Sequence, residues 1–448
     1  TIKADVLRRF LTDNLLGVDK DPHAVRVACF SLYLAMCDEI EPRHYWTQIR
    51  FPTMRDRRLI CSDFFDTGEG CDDHSAAGHY DLVIGNAPWG DGLATELSNA
   101  WATNNDWEVA NKDIGGLFLA KGARLLHAGG RMAMIQSANA LLFNASGSAR
   151  RFRSQLFTRH RVDAVFNLSA LRFKVSKRKT HTTKTSIAPA CVVVLRPADA
   201  HAEGMLLYAS PKSLDLQIDD FTIVIEPHHI HRVPVDVARE NSTIWTTLMW
   251  GTPRDAQLLR KLDRFPRLAT MKGKNEVRTR QGVVFGDQQR LVPELDGRQL
   301  FVGKHFPAEP PLELDASNLP TIVDLKVHSK DSTDFRAFDA PQLLIKQGFQ
   351  ASLGRFQARI VSGGDGQGVI CNKSYISATG PLPLMKAACL TYNSLVATYF
   401  MQLRSGRMAA YRPEANVHEI LDVPLPPPEA MEGTSSQTPN DIDQAVFD

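Results

Sequence analysis

Between residues 15 and 197 short apolar runs alternate with longer stretches whose apolar residues recur at helical spacing, and few architectures accommodate that alternation. The strand-like runs are "LLGVD" (15–19), "RLICSDFF" (58–65), "YDLVIGN" (80–86), "RMAMIQS" (131–137), "VDAVFNLSA" (162–170) and "PACVVVLRP" (189–197). Among the helical stretches, "DPHAVRVACFSLYLAMCDEI" (21–40) offers Asp21 as an N-cap and Pro22 as the first helical residue. "IGGLFLAKGARLLHAGG" (114–130) reads as a helix stopped by its glycine pair, and "SARRFRSQLFTRH" (148–160) as a basic helix. Strands joined by helical crossovers give a parallel, doubly wound α/β sheet. Ligands of such sheets bind outside the carboxyl ends of the strands. Asp19, Asp63 and Asn86 are the polar residues at those ends.

Composition narrows what surrounds this sheet. The 448 residues suffice for about two to three domains, and 43% hydrophobic content lets each bury a core. A net charge of +2 means that any basic surface for nucleic acid is local. Seven cysteines without paired short spacings fit reduced thiols in a cytoplasmic protein. Cys61, Cys71, His74 and His79 lack a CxxC pair, so no metal site is expected. No apolar run is long enough for a bilayer, and the N-terminus lacks the pattern of a signal peptide. From about residue 240 Pro and Gly become frequent and short β-like runs dominate: "QGVVFGD", "PQLLIKQG", "ARIVSGG" and "GVICNKSYIS". A helical stretch, "LMKAACLTYNSLVATYFMQLRSG", follows, and the last residues read as polar tail or linker. The organisation expected is a domain over 1–215, a mixed α+β domain over 240–430 and a tail over 431–448.

The stretch "YDLVIGNAPWG" (80–90) ends its strand in Asn86, Ala87, Pro88 and Trp89. This is either a plain turn, since Asn, Pro and Gly are ordinary turn residues, or a cradle that holds something flat under an indole. Taken in order, "GVDKDP", "CSDFF" and "NAPW" resemble the consecutive motifs of adenine-N6 DNA methyltransferases of the type IIG restriction–modification kind. The resemblance continues through "GGRMAMIQSANALLF", "RFRSQLF", "LSALRF" and "APACVVVL", about residues 10–197. It implies a Rossmann-like sheet, S-adenosylmethionine (SAM) as cofactor, duplex DNA as partner, and an adenine flipped out of the stack for methylation. On that resemblance Asn86 and the Ala87 carbonyl accept from the adenine amine, Pro88 stiffens the turn, and Trp89 stacks on the base. Asp19 accepts from the cofactor ribose, Asp63 from its adenine amino group, and Phe64 packs on that ring, although Phe64 equally suits a core aromatic.

The chain departs from the family in two places. Ala87 replaces the usual first Pro of the Asn-Pro-Pro signature, which costs rigidity and keeps the backbone carbonyl. The glycine-containing loop that should precede "GVDKDP" is not in the chain, so the first strand of the sheet is expected to be missing and the chain to be an N-terminally truncated copy, inactive alone. "GGDGQG" near residue 365 reads as a loop. The basic run "LRFKVSKRKTHTTKTS" places Arg172, Lys174, Lys177, Arg178, Lys179 and Lys184 close together, a solvated loop or a phosphate contact. The C-terminal region loosely resembles target-recognition domains of type IIG enzymes and type I specificity subunits, through "RTRQGVVFGDQQ", "LLIKQG", "YNSLVATYFMQLRSG" and "EILDVPLPPP". Asp324 and Lys326 in "PTIVDLK" lack an upstream acid and read as a strand end, so a nuclease is expected only upstream. Three other readings stay open: an RNA or protein methyltransferase, a non-catalytic DNA-binding protein, and the methyltransferase half of a bifunctional restriction enzyme.

Overall fold

Asp21 caps the first long helix as its spacing requires. In the computed structural model its carboxylate accepts from His23 N at 2.8 Å, and helix α2 runs Pro22–Asp38 behind the short helix α1, Ile2–Arg9. The structure describes residues 2–448 apart from 67–77, 89, 91, 172–188, 199–203, 214–221, 274–276, 286–288, 302, 304–305, 307–311, 363–365, 411–413, 428, 430–440, 444–445 and 447–448. It divides into two compact units. The first comprises Thr1–Gln136, Gly147–Asp163 and Val193–Ala202, the second Ser137–Ser146, Ala164–Val192 and Glu203–Asp448.

Strands β1 (Gly17–Asp19) and β2 (Leu59–Cys61) pair in parallel, Val18 opposite Ile60, as a separate two-stranded sheet. α1 and α2 close over it through Ala4, Val25, Cys29, Met36 and Leu59. A six-stranded sheet contains β3 (Tyr80–Asn86), β4 (Leu126–Ser137), β5 (His160–Asn167), β6 (Ala190–Pro197), β7 (Met205–Ala209) and β8 (Ile230–Pro234) in the order β8-β7-β5-β6-β4-β3. β3–β4 and β5–β7 are parallel, while β7–β8, which lies beyond the strands read from the sequence, is antiparallel, so the sheet is mixed.

One correction concerns the glycine stop. Helix α4 covers only Ile114–Leu125, and the residues expected to end it, Gly129 and Gly130, belong to the longer β4. Gly130 faces the irregularity of the β3–β4 ladder between Tyr80 and Leu82, where a Cβ would lie 2.6 Å from the Tyr80 carbonyl oxygen. The glycine therefore permits close strand approach. Helix α3 (Glu96–Asn104) starts on a Thr95 capping box, and α4 is capped by Asp113, which accepts from Gly115 N. Phe65, Trp101, Ile114, Leu117 and Ala120 form the core between them. Helix α5 (Gly147–Arg159) is the basic helix of the sequence.

Within the second unit a four-stranded antiparallel sheet runs Arg278–Gln281, Tyr375–Thr379, Gln342–Lys346, Ala358–Val361. The single helical stretch expected after it is two helices, α6 (Leu382–Asn393) and α7 (Leu395–Arg404). Ser394 separates them because its side chain accepts from Ala397 N and caps the second helix. Of the expected tail over 431–448, only residues 441–443 and 446 are described. Ile442 is buried against Ala387 and Leu390, and Asp443 pairs with Arg355 and accepts from Leu395 N. Among the described residues no helix is long and apolar enough to cross a membrane. The described cysteines are free thiols.

Candidate active site

Three short strands end in one place within the first unit. β1 ends at Asp19, β3 at Asn86, and Asp63 lies two residues beyond the end of β2. A cavity of about 780 Å³ is lined by Asp19, Asp63, Phe64, Asn86, Ala87 and Pro88, together with apolar residues of β3 and α4. That volume falls in the usual range for small-molecule sites. The strand-end residues of the sequence reading thus line one cavity.

Local hydrogen bonds hold each residue. Asp19 Oδ1 accepts from Asp21 N at 2.8 Å, and its carbonyl accepts from Ser62 N at 3.1 Å, which ties the β1 end to the turn after β2. Asp63 Oδ1 accepts from Phe65 N at 2.8 Å and its carbonyl from Asp66 N at 3.0 Å, a tight turn that presents Phe64 to the cavity. Phe64 stacks on Phe118 with ring centroids 4.9 Å apart at 18°. It therefore serves the core and lines the cavity at once.

Sequence reasoning missed Lys121. This residue of α4 is only 3% exposed, donates its ammonium to the Phe64 carbonyl, and lies over the Phe64 and Phe65 rings at 4.8 and 5.5 Å. A buried ammonium is tolerated only with such partners. The available signal was a lysine inside the apolar pattern "GGLFLAKGARLL".

Ala87 is buried while Asn86 and Pro88 are exposed. Trp89 lies outside the described residues, as do Arg172, Lys174, Lys177, Arg178, Lys179 and Lys184. Cys71 and His74 lie outside them as well. Among the described residues one group of metal-capable side chains occurs, Glu226, His228 and His229 of the second unit. Glu226 and His229 are already engaged there in a capping box, Glu226 N donating to His229 Nδ1 at 3.1 Å.

Comparison with known proteins adds a family match for part of the chain. Residues 13–173 match the family described as Eco57I restriction-modification methylase. No curated protein sequence matches the chain. Among solved structures, the type IIG restriction endonuclease BpuSI is 12% identical, with 99% of this chain and 59% of that one covered at a TM-score of 0.37. The type IIL restriction-modification enzyme MmeI in complex with DNA is 12% identical, covers 97% and 63%, and scores 0.48. A methyltransferase subunit of a type I restriction-modification system from Streptococcus thermophilus is 16% identical, covers 54% and 48%, and scores 0.34. The chain spans less than two thirds of the length of each of these structures.

Proposed function

We propose that this chain is the methyltransferase and specificity portion of an adenine-N6 DNA methyltransferase from a restriction–modification or phage-defence system. The observation that carries the reading is the convergence of Asp19, Asp63 and Asn86 on one cavity inside the segment that matches the methylase family.

SAM suits the donor set: two carboxylates at strand ends are acceptors for ribose hydroxyls and an amino group, and Phe64 offers a ring to pack on. When bound it supplies an electrophilic methyl group. The protein's own part is positioning. An exocyclic adenine amine is a poor nucleophile because its lone pair is delocalised. The Asn86 side-chain oxygen and the Ala87 carbonyl accept from its two N–H groups, which draws the nitrogen toward a tetrahedral state with its lone pair aimed outward. Trp89 stacks on the flipped base, a contact worth about 1–3 kcal/mol in single-strand sites. The basic run around Lys177 contacts phosphates, and the domain from residue 240 reads the duplex.

β1 and β3 both line the cavity yet lie in different sheets, and among the described residues β3 is the last strand of its sheet, with Leu82 62% and Ile84 73% exposed. Calorimetric titration of SAM into this chain, and into any longer natural form that contains it, tests the reading. Binding by either that Asp19→Ala weakens about tenfold or more supports it; no binding by either overturns it.

A further inference from the structure

One buried amide beside the Asn86 turn has no role in the chemistry above. Asn86 pairs with Ile135 across the β3–β4 ladder, so Gln136, the next residue of β4, stands level with Ala87. Gln136 is 3% exposed, and its Nε2 has no hydrogen-bond partner among the described residues. Buried amide N–H groups without an acceptor are uncommon in folded proteins and call for a physical account.

The neighbourhood supplies one. Gly115, in the first turn of α4, has a bare Cα around which three groups gather. A Cβ there would lie 2.8 Å from Gln136 Oε1, 3.3 Å from Asp113 Oδ1 and 3.3 Å from the Pro88 carbonyl oxygen. The Pro88 carbonyl belongs to the turn that holds the amine, and Asp113 accepts from Gly115 N at 2.9 Å and Gly90 N at 3.4 Å. The Gln136 amide and the Pro88 carbonyl of the base-binding turn thus both come close to Gly115, and the absence of a side chain at residue 115 leaves the amide room.

We propose that Gln136 is the residue that reads the ring of the flipped base, its Nε2 donating to adenine N1. This rests on the base-binding role of Asn86 and Ala87. Once those two acceptors have taken the N–H groups of the amine, the ring atom beside it is N1, a lone-pair acceptor. A partnerless buried donor is its complement. Guanine and hypoxanthine carry N1–H, so they oppose donor to donor at that position and leave both unpaired, the arrangement that discriminates most strongly in a closed site.

The test measures binding of the full chain to oligothymidylate carrying a single adenine or a single 1-deazaadenine, which lacks the N1 acceptor, with plain oligothymidylate as reference. The wild type is expected to prefer adenine to 1-deazaadenine by about tenfold, the scale of one hydrogen bond. Gln136→Leu binds both at the weaker level, and Gly115→Ala, which moves the amide without removing it, narrows the preference. Thermal melts check that the variants fold; if Gln136→Leu does not, the wild-type preference and Gly115→Ala decide. Equal binding of adenine and 1-deazaadenine by a wild type that still prefers adenine to plain oligothymidylate overturns this proposal alone. No preference for adenine over plain oligothymidylate overturns the base-binding reading on which it rests.

Discussion

Asn86 stands exposed at the end of β3, and the proposed chemistry asks one thing of it, a side-chain oxygen at the amine. Asn86→Ala is expected to lower turnover about a hundredfold or more, the scale of removing one preorganised polar contact to a reacting group, with cofactor affinity unchanged within about twofold. Single-turnover kinetics beside calorimetry separates the two effects. Asp19→Ala should do the reverse, weakening SAM binding by about tenfold or more through the loss of a charge-assisted hydrogen bond. Asp19, Asp63 and Asn86 were legible because strand ends in an α/β alternation share one edge, a rule that works from sequence alone. Lys121 and Gln136 were not. Both lie within apolar patterns, where a buried polar residue looks like any other member of the face, and only their surroundings distinguish them.

Helix α4 illustrates how an element carries function. Its buried Lys121 fastens the turn after β2, so Lys121→Met should weaken SAM binding several-fold while the Asn86 contact to the base persists; a loss of both equally would mean general unfolding. At the start of β5, His160 stacks on Trp107 at 6.0 Å. Burial, helped by the neighbouring Arg159 charge, lowers its pKa to about 4. The folded state thus binds fewer protons than the unfolded chain between its ordinary value and pH 4. Stability is retained above that window and falls as acid passes through it, by up to about 3 kcal/mol. Chemical unfolding from pH 7 to 4 should show this slope, and His160→Gln should flatten it. Element boundaries were the least legible feature. The glycine pair of β4 and the Ser394 break between α6 and α7 follow from a close strand contact and a side-chain cap, neither visible as a change in hydrophobic period.

At the scale of the molecule, the α/β character of the first half and the mixed character of the second follow from two periodicities, 3.6 and 2, that survive in sequence. The anchoring of the last residues by Ile442 and the Arg355–Asp443 pair did not, because a single apolar residue in a polar stretch carries no period. One consequence concerns how the purified chain behaves in a tube. Among the described residues β3 is the last strand of its sheet, and its Leu82 and Ile84 are exposed, the kind of edge that recruits backbone from whatever chain is nearest. Concentrated samples should therefore drift toward oligomers in light scattering, and Leu82→Lys should keep them monodisperse.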